Sequence, residues 1–343
     1  MYTSGTTGRP KGVMLTHGNL LSNALALVDC WRICKSDILI HALPIFHTHG
    51  LFVAVNICLL AGAKILFMPK FDEEAIIKNL SAATLLMGVP TFYTRLLAHP
   101  DLNQRRAAKM RLFISGSAPL RPETLADFAK RTGYTILERY GMTETGMITS
   151  NPVGGERRAN SVGTKLPDIA VRITDIDSGA ELPINSLGMI EVRGPNVCAG
   201  YWNKPGKSAS EFGEDGFFVM GDLGELSEDG YLSIVGRAKD LIITSGYNVY
   251  PEEIEDTVYA LTGVKEAAVF GILDEEYGEI VVVALVAEDN QTIDLEAVKA
   301  QVTGSLARFK HPRYYQILDS LPRNARGKIQ KNALRSKFPA TLS

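Results

Sequence analysis

Cysteine is scarce: four residues in 343, Cys30, Cys34, Cys58 and Cys198. That is too few to staple a fold of this length, so the thiols read as reduced and the location as cytoplasmic. Cys30 and Cys34, one helical turn apart, read as buried thiols. An excess of one charge is lacking too. A formal net charge of −2 leaves no global field to recruit nucleic acid or an anionic membrane, so any phosphate affinity must be local. No apolar run reaches the ~20 residues that cross a bilayer; the longest, Leu51 to Ala63, is broken by Asn56 and reads as buried core, and no membrane span is expected. Internal repeats and low-complexity tracts are missing as well. What is plentiful is apolar material, 45% of residues, enough for one large domain and a smaller one.

From Leu20 to about Leu137, short apolar segments (Ile38 to Leu43, Ala63 to Met68, Leu85 to Val89, Leu112 to Ser115) alternate with longer amphipathic stretches. That alternation predicts a mostly parallel α/β sheet layered with helices. After Gly154 the texture changes to strands with turn signals, Ala170 to Thr174, Gly188 to Arg193 and Tyr231 to Val235, predicting a small antiparallel or β-barrel-like subdomain. Gly236-Arg237-Ala238-Lys239-Asp240 has the composition of a linker. The expected division is therefore 1–235 as a large domain (1–155 α/β, 156–235 β-rich), 236–240 as a hinge, and 241–343 as a separate small α+β domain. Its predicted helices are Pro251 to Leu261, Leu295 to Leu306 and Lys328 to Lys337, and its predicted strands Ala267 to Gly271, Ile280 to Val286 and Tyr314 to Leu318.

Tyr2-Thr3-Ser4-Gly5-Thr6-Thr7-Gly8-Arg9-Pro10-Lys11-Gly12 is the most informative segment. Its glycines let the backbone turn with N–H groups inward, four hydroxyls add donors, and Arg9 and Lys11 add positive charge, as a loop wrapping a polyphosphate requires. The spacing does not fit the G-x-x-x-x-G-K-[ST] loop, and a flexible Gly/Thr turn is the plain alternative. His47 and His49 would point the same way in an extended segment and invite a metal, but no second ligand pair lies nearby in sequence. The stretch from Thr303 carries nine Lys/Arg against the single acidic Asp319. Phe309, Tyr314, Tyr315, Ile317 and Leu318 interleave these charges as core residues would, which argues against a nucleic-acid arm.

The segment around Ser4 to Lys11 resembles the signature of the adenylate-forming superfamily of acyl-CoA synthetases, luciferases and peptide-synthetase adenylation domains. Further matches follow in order: Ser115-Gly116-Ser117-Ala118-Pro119, Tyr140-Gly141-Met142-Thr143-Glu144, Gly221-Asp222, the Gly236–Asp240 linker, Ser245-Gly246-Tyr247-Asn248, and Arg323 to Lys328. The resemblance implies ATP, Mg2+ and CoA as cofactor and co-substrates. Within it, Thr3, Ser4, Gly5, Thr6, Thr7, Gly8 and Lys11 would hold the phosphates, Ser115, Gly116, Ser117 and Ala118 the adenine, Tyr140 and Gly141 of the core motif the nucleotide, and Asp222 and Arg237 the ribose. Thr143 and Glu144 would serve the α-phosphate and the metal, Lys328 the α-phosphate and substrate carboxylate, and His47 would gate the CoA channel. The basic side chains near the C-terminus would face ATP and CoA phosphates. Lys239 matches the hinge, and Ser245, Gly246 and Tyr247 the segment that enters in the thioester-forming state. A solvated Glu144 and a surface Asp222–Arg237 ion pair are the alternatives on chemistry alone.

Arg95 and Arg139 lie where this family builds its acyl pocket, and paired guanidiniums there would clamp a second carboxylate; the plain alternative is Arg95 on a helix surface and Arg139 as an ion-pair partner behind the pocket. The segments around Pro44 to Phe52, Gly88 to Leu97 and Glu138 to Glu144 resemble those of bacterial malonyl-CoA synthetases. The implied partners are a small dicarboxylate, ATP and CoA, with no nucleic acid, in a monomer or homodimer. A nucleotide-binding remnant and a domain loading a carrier protein remain as alternatives. Members of this family normally carry a sizeable region before the phosphate loop. A chain starting at this turn-rich segment is expected to expose strand edges and core surface, and to be weakly active by itself.

Overall fold

The computed structural model describes residues 1–3, 10–323 and 329–337. The chain divides into two compact units, one of Met1–Met220 with Gly224–Ile234, the other of Gly221–Leu223 with Val235 onward.

The first unit opens with a two-stranded antiparallel pair, β1 (Tyr2–Thr3) and β2 (Lys11–Gly12). Its main sheet has seven strands: β3 (Ile38–His41), β4 (Lys64–Phe67), β5 (Leu85–Gly88), β6 (Leu112–Ser115), β7 (Leu137–Met142), β8 (Gly146–Ser150) and β9 (Thr164–Lys165), in the order β4-β3-β5-β6-β7-β8-β9. Pairs from β4 to β7 are parallel, and β7-β8 and β8-β9 are antiparallel. All four predicted strands before Ser115 are present, because short runs of Leu, Ile and Phe between polar turns suit strands covered on both faces. Every residue of β5 and β6 is buried. Helices over His17–Cys30, Pro90–Ala98 and Pro122–Thr132 cover the sheet. The first is fixed by a Thr16–Asn19 capping box, the other two start with proline at the first turn.

The β-rich part is a four-stranded sheet in chain order, β10 (Ala170–Thr174), β11 (Gly188–Arg193), β12 (Phe218–Leu226) and β13 (Leu232–Arg237). Two expectations need correcting. Cys34 lies beyond the end of its helix and is exposed, because the helix stops at Cys30. The Leu51 to Ala63 run is helical and two-faced: Ile57 and Cys58 are buried while Leu59 and Leu60 face outward.

The second unit is built on a five-stranded sheet, β14 (Ile242–Thr244), β15 (Tyr247–Val249), β16 (Val264–Asp274), β17 (Gly278–Ala287) and β18 (Tyr314–Ile317). The path β15-β14-β17-β16 is extended by β18, parallel to β17. Alternate residues of β16 serve two cores: Ala267 and Val269 pack with Ile254 and Val302, and Ala268 and Phe270 pack with Leu321 and Leu334. Four of the basic side chains here are paired within the unit, Lys310 with Glu253, Arg323 with Glu266, Lys331 with Glu255 and Arg335 with Asp240. Phe309, Tyr314 and Ile317 are more exposed than core residues would be; the strand carrying the last two lies at the edge of the sheet.

Candidate active site

In the first unit the site grows from loops at the carboxyl ends of parallel strands, the edge at which open α/β sheets bind ligands. Strand β3 leads to Pro44–Gly50, β6 to Ser115–Pro119, and β7 to the Thr143–Thr145 turn that closes the β7-β8 hairpin.

The pair β1-β2 aligns Thr3 opposite Lys11 and so brings together the two ends of the proposed phosphate loop. Ser4, Gly5, Thr6, Thr7 and Gly8 lie outside the described residues, as does Lys328. Thr3 Oγ1 donates to Glu144 Oε1 at 3.5 Å, so the loop and the Thr143-Glu144 motif share one neighbourhood. Glu144 is buried, at 8% exposure, with no basic side chain paired to it among the described residues. Its other contact is the Tyr201 hydroxyl at 3.2 Å. A buried carboxylate with only hydroxyls around it is suited to a hard cation, and Mg2+ takes such oxygen ligands together with substrate phosphates. Among the described residues there is no cluster of three or more His, Cys, Asp or Glu that would hold a metal without the substrate.

Beside Glu144 lies a network that sequence reasoning missed. Tyr201 OH is 2.5 Å from Glu211 Oε2. Glu211 Oε1 receives Lys207 and, at 3.8 Å, Lys11, whose ammonium lies 4.6 Å from the Tyr201 ring centroid. Burial works against the Glu211 carboxylate, but Lys207, Tyr201 and Lys11 outweigh it and hold the group below its ordinary range. Burial, with Glu211 and Glu144 beside it, pushes the Tyr201 phenol up, so it keeps its proton.

On the other side, Thr143 Oγ1 accepts from Thr48 Oγ1 at 3.4 Å. The segment that carries His47 and His49 is not extended. A turn at Pro44–His47 runs into a π-helix, His49–Val55; His49 is buried and His47 half-buried, with His47 Nδ1 accepting from the His49 backbone N–H at 3.3 Å. Gly50 is required there, since a Cβ would fall 2.3 Å from the Pro44 carbonyl oxygen. His49 Nδ1 lies 3.3 Å from Ser117 Oγ, and Ser117 holds φ 71°, unusual for a residue with a side chain. Burial, with Arg139 nearby, holds the His49 ring well below its ordinary pKa, hence neutral. His49 Nε2 and Ser115 Oγ have no hydrogen-bond partner among the described residues.

Arg139, on β7, is 2% exposed and lies across Gly116, where a Cβ would meet its guanidinium at 2.3 Å. Its Nε and Nη2 have no partner among the described residues, and burial pulls its pKa down to about 10. A buried cation without an anion is costly unless a ligand compensates it. Arg95 does not share this setting. It lies on an exposed helix face, 2.5 Å from Glu73 and stacked 4.5 Å from the Phe71 ring. The paired clamp is thus corrected to one buried arginine, because Arg95 extends out to Glu73 over the Phe71 ring while Phe92, Tyr93 and Leu96 take the buried face of the helix.

In the second unit Asp222, 4% exposed, pairs with Arg237 at 2.5 Å, a buried carboxylate against a guanidinium whose side chain is 41% exposed. Lys239 is exposed in a 3-10 turn after β13. Ser245 and Gly246, both at positive φ, form the two-residue turn of the β14-β15 hairpin, the geometry that matches strand twist. Tyr247 stacks on Phe309, centroids 4.7 Å apart. No helix among the described residues is long and apolar enough to cross a membrane.

Comparison with known proteins places this geometry. Residues 1–202 match the family model of AMP-binding enzymes and residues 253–328 that of the AMP-binding enzyme C-terminal domain. The chain is 37% identical to a malonate–CoA ligase of Arabidopsis thaliana over 98% of its length, and 36% identical to a long-chain-fatty-acid–CoA ligase of Bacillus subtilis over 97%. It spans 60% of the length of each of these relatives. The crystal structure of ATP-bound MatB from Rhodopseudomonas palustris superposes with a TM-score of 0.96 at 54% identity, over 98% of this chain and 67% of that one. By two family models in sequence order and by its adenylate-forming fold, the chain belongs to the AMP-binding enzyme family.

Proposed function

We propose that this chain carries most of the active site of an AMP-forming acid–CoA ligase whose acid is a short dicarboxylate, malonate first. The carrying observation is Arg139, a fully buried guanidinium with two donors unpartnered among the described residues, beside the polar and equally unpartnered His49 Nε2 and Ser115 Oγ. An apolar acyl tail would leave that charge uncompensated; a second carboxylate would take both donors in a fork geometry. The similarity to a long-chain ligase at nearly the same identity means that the acid has to be argued from the pocket, not from percentages.

Forming an acyl-adenylate brings two anions together at the α-phosphorus of ATP, so charge neutralisation is the main task of the site. Thr3, Lys11 and the loop between them are assigned to the phosphates, and Thr143 to an α-phosphate oxygen. Glu144 is assigned to Mg2+, which when bound supplies charge neutralisation between phosphate oxygens. Ser117, Ala118 and Tyr140 are assigned to adenine, Asp222 and Arg237 to the ribose. Lys328 is assigned to the first half-reaction, and Lys239 with Ser245–Tyr247 to the change of state that admits CoA. The test is pyrophosphate release with a panel of acids. Malonate is expected to exceed acetate and butyrate by at least about a hundredfold in kcat/KM, the discrimination available to a buried charged site. Equal use of acetate or butyrate would sink the dicarboxylate assignment, and no release with any acid would sink the ligase assignment.

A further inference from the structure

Glu144 Oε1 and Glu211 Oε2 both lie within hydrogen-bond distance of one phenol, Tyr201 OH, at 3.2 Å and 2.5 Å. A phenol has one proton and can donate it once. The shorter contact takes it, so the Tyr201 oxygen turns lone pairs, not a proton, toward Glu144. Two oxygens facing each other without a proton between them create a demand for a cation at that point. The second oxygen of Glu211 is meanwhile shared by two ammonium groups, Lys11 and Lys207. Glu211 is only 19% exposed at its side chain and closes the helix Pro205–Glu211.

We infer that Glu211 is a positioning residue for the nucleotide site, acting through two arms: by taking the Tyr201 proton it keeps Glu144 free for Mg2+, and by its other oxygen it holds Lys11 at the end of the phosphate loop. The inference rests on the assignment of Glu144 and Lys11 to Mg2+ and phosphate made above. The two arms separate by substitution. In Glu211→Gln the amide carbonyl still accepts the Tyr201 proton, but the ion pairs to Lys11 and Lys207 are gone. In Glu211→Leu the Tyr201 proton passes to Glu144, which then holds a hydrogen bond in place of a cation. In the double variant Tyr201→Phe/Glu211→Leu there is no phenol to occupy Glu144.

The experiment is isothermal titration of ATP into the chain, in MgCl2 and in EDTA, with thermal unfolding of each ligand-free variant alongside. For the unsubstituted chain, Mg2+ is expected to tighten ATP binding. Glu211→Gln should weaken binding about tenfold in both buffers, leaving the Mg2+ gain intact. Glu211→Leu should abolish most of that gain, about tenfold or more, on the scale of one hydrogen bond to a charged group. The double variant should recover it. A purely structural role would lower the unfolding temperature in all three variants without moving the ratio between the two buffers, and that result overturns the inference. Retention of the full Mg2+ gain by Glu211→Leu also overturns it. If the unsubstituted chain binds ATP no better with Mg2+, the assignment of Glu144 falls, and this inference with it.

Discussion

Replacing Arg139 with methionine should stabilise the ligand-free fold while destroying its use of the dicarboxylate. Burial holds the Arg139 pKa at about 10, against an ordinary 12.5. At ~1.4 kcal/mol per tenfold change in an equilibrium, the ligand-free protein carries a cost of about 3 kcal/mol for that charge. Methionine fills part of the same space against Gly116 without the charge; shortening the side chain gives back roughly 1 kcal/mol as imperfect packing. The net expectation is a gain of about 2 kcal/mol, visible as a higher first unfolding transition by calorimetry. The ligand side runs the other way, since deleting one partner of a buried charge pair costs about 2–5 kcal/mol, or roughly thirtyfold to several-thousandfold in affinity. In the same scan, malonate with ATP and Mg2+ should raise the transition of the parent and leave that of Arg139→Met in place, because a ligand stabilises only the fold that binds it. Reasoning from the buried charge is refuted by the reverse pattern, a variant that melts earlier than its parent and still responds to malonate.

Two further outcomes follow from buried groups near the site. Burial raises the Glu138 carboxyl from 4.5 to about 8, so the folded state keeps a proton that the unfolded chain releases. Its contribution is complete below pH 4.5 and is lost as pH climbs through about 8, at ~1.4 kcal/mol per pH unit. Glu138→Gln should flatten the fall of stability between pH 5 and 8, and parallel stability–pH curves for variant and parent would exclude this account. Gly50→Ala places a Cβ 2.3 Å from the Pro44 carbonyl oxygen, backbone that cannot swing aside. A loss of several kcal/mol is expected, read from the urea midpoint; an unchanged midpoint would show that the turn before the π-helix is pliable.

Much of this was legible before the structure. The parallel strands were visible because buried β-segments are short, apolar and bounded by turn residues; the Thr3-to-Lys11 segment stood out because it gathers glycine, hydroxyl and positive charge, the composition a phosphate cradle needs. What stayed hidden has a common cause: it depends on which face a residue takes or on partners far along the chain. Arg95 and Arg139 look alike in sequence, but one lies outward on a helix with Glu73 and the other inward on a strand, its Nε and Nη2 without a partner among the described residues. A shared direction for His47 and His49 holds only in an extended segment, and the chain instead turns between them into a helix. Tyr201 and Glu211 lie 57 and 67 residues from Glu144 in sequence, a separation read directly from their numbers, and no local pattern joins them to it. The pairing of Lys310, Lys331 and Arg323 stayed hidden as well, because their acidic partners, Glu253, Glu255 and Glu266, are contributed from earlier in the chain.

The π-helix His49–Val55 reaches past the residues it contains. Each of its turns takes up one residue more than the α-helix Asn56–Ala61 that continues it. Thr48 and His49 therefore meet Thr143 and Ser117 by virtue of a count as much as a chemistry. Point changes at these positions keep that offset. A single-residue deletion anywhere from 49 to 55 would let the segment relax to an ordinary helix, rotating both side chains away together, so these two contacts depend on the length of one helical turn.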